Sequence, residues 1–271
     1  MNGWIMNARM YAVTPAAEAE WRALLAHVAA DAGVALEYVS YPAPQPLELL
    51  WSRPDLGCVL MCGFPVALGL APVVPIAAPI PRAAWAARRP VYRTDLIVRK
   101  DSAFRTLEDT FGGSAGWTVD HSHSGFNAWR HHLLAYRTAV RPKLYRRMEG
   151  NLTGRRGILD AVKNGQIDVG PLDSYWHMLL ARQCPEATAG IRVLATTAVA
   201  PIPAFVAAAG APAELVTRLR EAFVGAARQS WFARHGEALL LDGFAAADKA
   251  QYAVTLEWER AAKAVGYDLP A

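Results

Sequence analysis

The sequence predicts an α/β protein built as two lobes of similar design, each a mixed, mostly parallel sheet flanked by helices, with two hinge crossings between them. Strand-like and helix-like segments alternate along the first two thirds of the chain, the pattern of parallel sheets with crossover helices. An echo links the two regions. Leu47 to Phe64 reads helix, turn, Asp55-Leu56-Gly57, strand, Met61-Cys62-Gly63-Phe64, and Ile158 to Trp176 reads helix, turn, Asp168-Val169-Gly170, strand, Asp173-Ser174-Tyr175-Trp176. Apolar residues make up 53% of the 271, enough for one large core or two ordinary ones.

Each element has a local reason. Arg9 to Val13 reads as a first strand ended by Thr14-Pro15, and Ala17 to Ala32 as a helix with Trp21, Leu24, Leu25 and Val28 on its buried face and Gly33 closing it. Val34 to Tyr41 alternates as a strand, Leu47 to Trp51 is a short helix, and Leu56 to Cys62 is a third strand. The middle third repeats the grammar: strand Arg93 to Arg99, helix Ser102 to Phe111 behind an Asp101-Ser102 cap, and strand Trp117 to Asp120. An amphipathic helix through Phe126, Trp129, Leu133 and Leu134 comes next, then helix Arg155 to Asn164, strand Gln166 to Leu172, helix Ser174 to Arg182 and strand Ile191 to Thr197. The last third is helical, with Pro212 to Ala227 and Lys249 to Ala264 amphipathic. Crossings are expected before Arg99 and at Pro201-Ile202-Pro203. They assign residues 1–95 plus 200–271 to lobe one and 96–199 to lobe two.

Charge narrows the function. Residues 96–199 carry 14 basic and 9 acidic side chains, while the flanking segments are balanced at 7 and 7, and 7 and 8. Between Arg130 and Arg156 eight Lys or Arg face one acid, Glu149. A solvated helix face and an electrostatic funnel for a small anion both fit this run. No zinc-finger, RNP or basic-zipper pattern accompanies it, so no nucleic-acid partner is expected. Leu56 to Ile80 is 25 residues without a charge, but four prolines interrupt it and argue for strand, loop and short helix, so no membrane insertion is expected. The start lacks a basic n-region and a continuous apolar stretch. Localisation is therefore periplasmic if an export signal is missing from this sequence, and cytoplasmic otherwise. Cys58, Cys62 and Cys184 make no disulfide framework and read as small hydrophobes.

The most informative stretch is Val119 to Tyr136. A small polar turn, Ser122-His123-Ser124-Gly125, precedes an amphipathic helix, so hydroxyls and free backbone N–H groups meet at the positive end of a helix dipole. That is a seat for an oxyanion, unless Ser122 and Ser124 are only caps. Catalytic motifs (GxSxG, a Walker loop, HExxH, GxGxxG) are missing. His121-x-His123 with His131-His132 has no supporting ligand pattern, so no metal or other cofactor is expected.

Four segments together give the chain a family likeness. Tyr11-Ala12-Val13-Thr14-Pro15, Tyr92 through Ser102 (YRTDLIVRKDS), Ser122-His123-Ser124-Gly125-Phe126, and Ala161 through Asp173-Ser174 are similar to the marker segments of the phosphate/phosphite/phosphonate family of ABC-transporter substrate-binding proteins. The resemblance runs over nearly the whole chain and implies the type 2 periplasmic-binding-protein fold and no chemistry. It also implies a monomer that captures a small anion between its lobes and delivers it to an ABC permease. Ser122, His123 and Ser124 would bind the oxyanion, Tyr92 would donate its phenol, and Asp173 would accept from a protonated ligand oxygen or meet an ammonium. Tyr11 would stand in the turn after the first strand, and Phe64 would wall the site. His123 replaces a Thr of the family's S-T-S-G turn, and in Gly154-Arg155-Arg156 an Arg replaces a His, so Arg156 would add permanent charge. The residues also allow plainer roles: Asp173 as a helix cap, Tyr92 and Phe64 as core, Arg156 as surface. Two other functions share the fold, a cytoplasmic ligand sensor and a small-molecule enzyme using His123 or Cys62.

Overall fold

The computed structural model describes residues 3–152 and 154–271. In chain order it contains β1 (Trp4–Asn7), α1 (Pro15–Ala32), β2 (Leu36–Tyr38), α2 (Leu47–Trp51), β3 (Leu56–Met61), α3 (Gly63–Leu68), β4 (Val73–Pro81), β5 (Val91–Tyr92), β6 (Thr94–Arg99) and β7 (Ser114–Gly116). There follow α4 (Ala128–Leu133), β8 (Arg147–Glu149), α5 (Gly154–Lys163), β9 (Val169–Asp173), α6 (Ser174–Gln183), α7 (Pro185–Thr188), β10 (Ile191–Thr196) and β11 (Ala200–Pro201). The chain ends with β12 (Ala204–Ala208), α8 (Ala213–Gly225), α9 (Phe232–Ala238), β13 (Leu241–Ala246) and α10 (Ala253–Ala264). No helix among the described residues is long and apolar enough to cross a membrane; the uncharged stretch 56–80 is spent on β3, α3 and β4.

The chain divides into two compact units. The first comprises the residues up to Tyr92 with Pro201–Ala253, and the second Arg93–Ala200 with Val254–Ala271. The C-terminal 18 residues, which the sequence analysis grouped with lobe one, therefore belong to the second unit and add a third crossing at 253/254. The reason is polar as well as apolar. The buried Asn127 amide donates to the Thr255 carbonyl at 2.8 Å, and the Arg130 guanidinium to the Asp268 carbonyl at 2.9 Å.

In the first unit a six-stranded sheet runs β13-β4-β12-β3-β1-β2. β1, β2 and β3 pair in parallel, and β12 inserts antiparallel between β3 and β4. β1 to β4 thus share one direction, which β12 and β13 oppose. In the second unit a five-stranded sheet runs β10-β6-β9-β7-β8. There β7, β8 and β9 pair in parallel, and only β6 opposes the common direction because β10 is antiparallel to it. Both sheets are parallel in most strand directions and mixed in pairing. Helix α1 is delimited as its sequence dictates: Thr14 Oγ1 accepts from the Ala17 N–H at 3.0 Å, Pro15 opens the first turn, and Gly33 closes it at φ 63°. Its Trp21 meets Phe205, which stacks on Phe223 at 4.9 Å. The second unit's core centres on Trp129, Leu133, Leu96, Val98 and Tyr145.

Several segments differ from the sequence expectation. The last third, read as helical, also supplies the strands β12 and β13 to the first unit's sheet, its apolar run Ala204–Ala208 pairing between β3 and β4. The first strand lies at Trp4–Asn7 and Arg9–Tyr11 forms a 3-10 turn, because the buried Asn7 side chain accepts from the Arg9 N–H and donates to the Val39 carbonyl. The helix expected over 102–111 reduces to Glu108–Thr110. Asp101 is taken by Arg99, and Asp109, further on, caps the Arg105 and Thr106 N–H groups. The strand expected at 117–120 is instead Ser114–Gly116, since the Thr118 N–H turns away to the Gly125 carbonyl.

Gly63 is required by packing. A Cβ there would sit 2.1 Å from the Tyr252 ring, which is fully buried and anchored through its hydroxyl to the Ile202 carbonyl. Gly63→Ala is expected to lower stability by about 1–3 kcal/mol in urea denaturation, while Gly210→Ala, with nothing within 4 Å, stays near wild type.

Candidate functional site

The candidate site is built at one end of the strands of the second unit's sheet. β7 and β9 are parallel neighbours, so their carboxyl ends lie together, the position where open α/β sheets bind ligands. From β7 the chain enters the turn at 122, and β9 ends on Asp173. β6 runs the opposite way, so its first residue, Thr94, stands beside Asp173 in register. The buried Thr94 hydroxyl donates to the Ser124 carbonyl at 3.1 Å and ties the turn to the sheet.

Ser122 caps the helical run: its Oγ accepts from the Gly125 N–H at 3.1 Å. The run opens with a π-helical turn, His123–Asn127, before α4. π turns inside helical runs are frequent at functional sites. The N–H groups of His123 and Ser124 lie in the opening turn of this run. Both residues are buried. Gly125 must be glycine, because a Cβ would fall 2.0 Å from Thr118 Oγ1 and 2.9 Å from Ser122 Oγ. Thr118 itself is 4% exposed, and its Oγ1 has no hydrogen-bond partner. Two hydroxyls and the opening N–H groups thus converge on the turn, a donor set suited to an oxyanion.

Asp173 is a cap and an ion-pair partner at once. Its Oδ1 accepts from the Tyr175 and Trp176 N–H groups, each at 3.0 Å, and its Oδ2 lies 3.0 Å from Arg155 Nη2. A buried carboxylate is tolerated when neutralised and hydrogen-bonded in this way. Arg155, on the first turn of α5, was not singled out in the sequence, although it neighbours the residue that was. Arg156 is exposed, its guanidinium 5.6 Å from the Trp176 ring centroid.

His123 presents its backbone to the turn and its ring to the interior. The ring nitrogen Nδ1 is 3.3 Å from Asn127 Nδ2, and the ring lies 5.1 Å from Trp258 of α10, on which His131 stacks at 4.7 Å. Asn127 accepts in turn from Arg130. Burial, followed by the neighbouring His131, pushes the His123 pKa down to about 3, so the ring is neutral.

Tyr11, Phe64 and Tyr92 belong to the first unit. Tyr11 and Phe64 follow the carboxyl ends of the parallel neighbours β1 and β3, and all three are buried. The basic stretch is neither a bare solvated face nor an open funnel. Arg130 binds the Asp268 carbonyl, Arg137 the Pro142 carbonyl and the Tyr267 face, Arg146 the Gly112 carbonyl, and Arg147 the Gln166 carbonyl. Much of the positive excess therefore satisfies loop carbonyls of the second unit. Cys58 and Cys62 are buried, and burial alone raises the Cys58 pKa.

Comparison with known proteins agrees with the fold. A family model described as the periplasmic substrate-binding protein of phosphonate ABC transporters matches residues 13–252. Among solved structures, a binding-protein component of an ABC phosphonate transporter from Pseudomonas aeruginosa has a TM-score of 0.77 at 17% identity, over 97% of this chain and 86% of that one. PhnD1 from Prochlorococcus marinus, in complex with methylphosphonate, has a TM-score of 0.77 at 13% identity, over 96% and 98%. An ATP-bound protein from Xanthomonas citri has a TM-score of 0.65 at 16% identity, over 98% of both chains. At these identities the likeness shows a shared fold. No curated protein matches.

The buried His123 makes a pH prediction. The unfolded chain binds a proton at His123 near pH 6.5, whereas the folded chain refuses it until about 3. Stability is therefore lost as pH falls through that window, by about 1.4 kcal/mol per pH unit for this group. Burial also lowers the His131 and His132 pKa values, which steepens the upper part of the fall. In urea denaturation between pH 6 and 4.5, His123→Gln should flatten the slope by about one proton; an unchanged slope would contradict the assignment.

Proposed function

Because the chain belongs to the family of periplasmic substrate-binding proteins of phosphonate ABC transporters, we propose that it captures a phosphonate-like oxyanion on the turn Ser122-His123-Ser124-Gly125. The protein is a solute-binding component, and the family's role is binding for transport rather than chemistry. The observation that carries the assignment of the seat is the convergence of the unpartnered Thr118 hydroxyl, the Ser122 cap and the opening N–H groups on Gly125.

In this reading the backbone N–H groups of His123 and Ser124 and the Ser122, Ser124 and Thr118 hydroxyls donate to the oxyanion oxygens. Asp173 holds the α6 N-terminus and Arg155 in place. Arg156 supplies positive charge at the exposed rim. The protein works as a monomer in the periplasm and hands its ligand to a cognate ABC permease. The neutral, interior-facing His123 ring supports binding over an enzymatic role for that residue.

Protein freed of ligand by unfolding and refolding should gain thermal stability with methylphosphonate or phosphate. The gain is about 2.7 kcal/mol at one hundred times the dissociation constant. Ser124→Ala and Thr118→Val should each weaken binding about tenfold in calorimetry. If no oxyanion of this panel raises the melting temperature, the reading is wrong.

A further inference from the structure

We propose that a basic pocket at the amino ends of β7 and β8 docks an acidic segment of a partner protein. β7 and β8 are parallel neighbours, so the residues leading into them lie together. The turn at 122 and Asp173 follow the carboxyl ends of the parallel neighbours β7 and β9, at the opposite end of these strands. An open cavity of about 490 Å³ lies at the amino ends, lined by Glu108, Phe111, Arg141, Lys143, Tyr145 and Arg146. Arg141, Lys143 and Arg146 are exposed, and no carboxylate of the described residues lies within 4.0 Å of their cationic groups. Arg147, by contrast, is matched by Glu149 at 3.3 Å. Three cations thus stand around one acid, Glu108.

The loop that carries them is already shaped. The Thr138 N–H donates to the Arg141 carbonyl at 3.2 Å and the Arg141 N–H to the Thr138 carbonyl at 3.0 Å, which closes a tight turn with Ala139 and Val140 at its tip. Arg137 ties the turn back through the Pro142 carbonyl at 2.8 Å and the Tyr267 ring at 4.1 Å. The Gly112 N–H reaches the Leu144 carbonyl at 2.7 Å, and the Arg146 N–H the Gly113 carbonyl at 3.0 Å. Phe111, half-buried, stands edge-on to Tyr136 at 5.4 Å and to Tyr145 at 5.6 Å, with the Arg141 guanidinium 5.9 Å from its ring centroid. A surface so held loses little freedom on binding.

Exposure selects the partner. One exposed ion pair is worth only about 0–1 kcal/mol, so a single small anion gains little here. A segment with several carboxylates engages the three cations together, and each contact made raises the effective concentration of the next. Val140, 95% exposed at the loop tip, adds an apolar contact beside the charges. A flat anionic bilayer neither fills a concavity nor tolerates Glu108 on its rim. The fitting occupant is therefore a peptide segment with an aromatic or aliphatic residue among acids.

An amide-resolved NMR titration of the full chain with the peptide Glu-Glu-Tyr-Glu-Glu tests this. Resonances of residues 108–112 and 141–146 should shift saturably, and the affinity should fall about tenfold between low and physiological salt. The double variant Arg141→Glu, Lys143→Glu, at two exposed positions, should lose the peptide shifts, and Glu108→Gln should tighten binding several-fold. Both variants should bind methylphosphonate as the wild type does, because the oxyanion reading concerns residues 118–125 at the other end of the strands. Three results overturn the proposal: peptide that leaves 108–112 and 141–146 unmoved, inorganic tripolyphosphate that binds this pocket as tightly as the peptide, or phosphatidylglycerol vesicles that bind through Arg141 and Lys143 where the peptide does not.

Discussion

The buried carboxylate of Asp173 is the constraint around which the second unit is arranged. A charge with a fully buried side chain must be matched, or folding loses several kcal/mol. Matching it recruits three elements. The N-terminus of α6 supplies two N–H groups, the first turn of α5 supplies Arg155, and β9 must end where both can reach. With β9 so placed, register puts Thr94 of β6 alongside, and the Thr94 hydroxyl holds the Ser124 carbonyl. The turn proposed to hold an oxyanion is therefore positioned by a chain of polar contacts that starts at one aspartate.

A second polar chain holds the same turn from behind. His123, Asn127 and Arg130 project from successive turns of one helical run and reach α10 and the C-terminal carbonyls at Thr255 and Asp268. The His ring, aromatic and neutral, packs where a protonated ring would be an unpaired buried charge. The C-terminal segment thus acts as a brace for the second unit. Its contribution falls at acid pH, when the unfolded chain gains protons that the folded one refuses.

Much of this was legible in the sequence where a local signal was strong. Thr14-Pro15 and Gly33 delimit a helix by capping chemistry, Leu47–Trp51 emerges with the expected bounds, and the polar turn before Phe126 marks the candidate seat. What was not legible depends on partners distant in sequence. The affiliation of residues 254–271 rests on contacts with Asn127 and Arg130, well over a hundred positions away. Choosing between Arg155 and Arg156 needed the helical phase of α5, which directs one guanidinium to Asp173 and the other to Trp176. Thr118, read as part of a strand, became a candidate site residue only when the chain folded its hydroxyl against Gly125. The basic run likewise looked like a surface feature until Arg130, Arg137, Arg146 and Arg147 could be followed to the carbonyls they serve.

The central claim is that an oxyanion is held by the backbone and hydroxyl donors of residues 118–125. The most direct measurement is an amide-resolved NMR titration of ligand-freed protein with methylphosphonate. The account predicts downfield shifts of the His123 and Ser124 N–H resonances that saturate together with the bulk binding isotherm, as charge-assisted hydrogen bonds form. Saturable binding that leaves residues 118–125 unmoved, with the shifts gathered elsewhere, would contradict it.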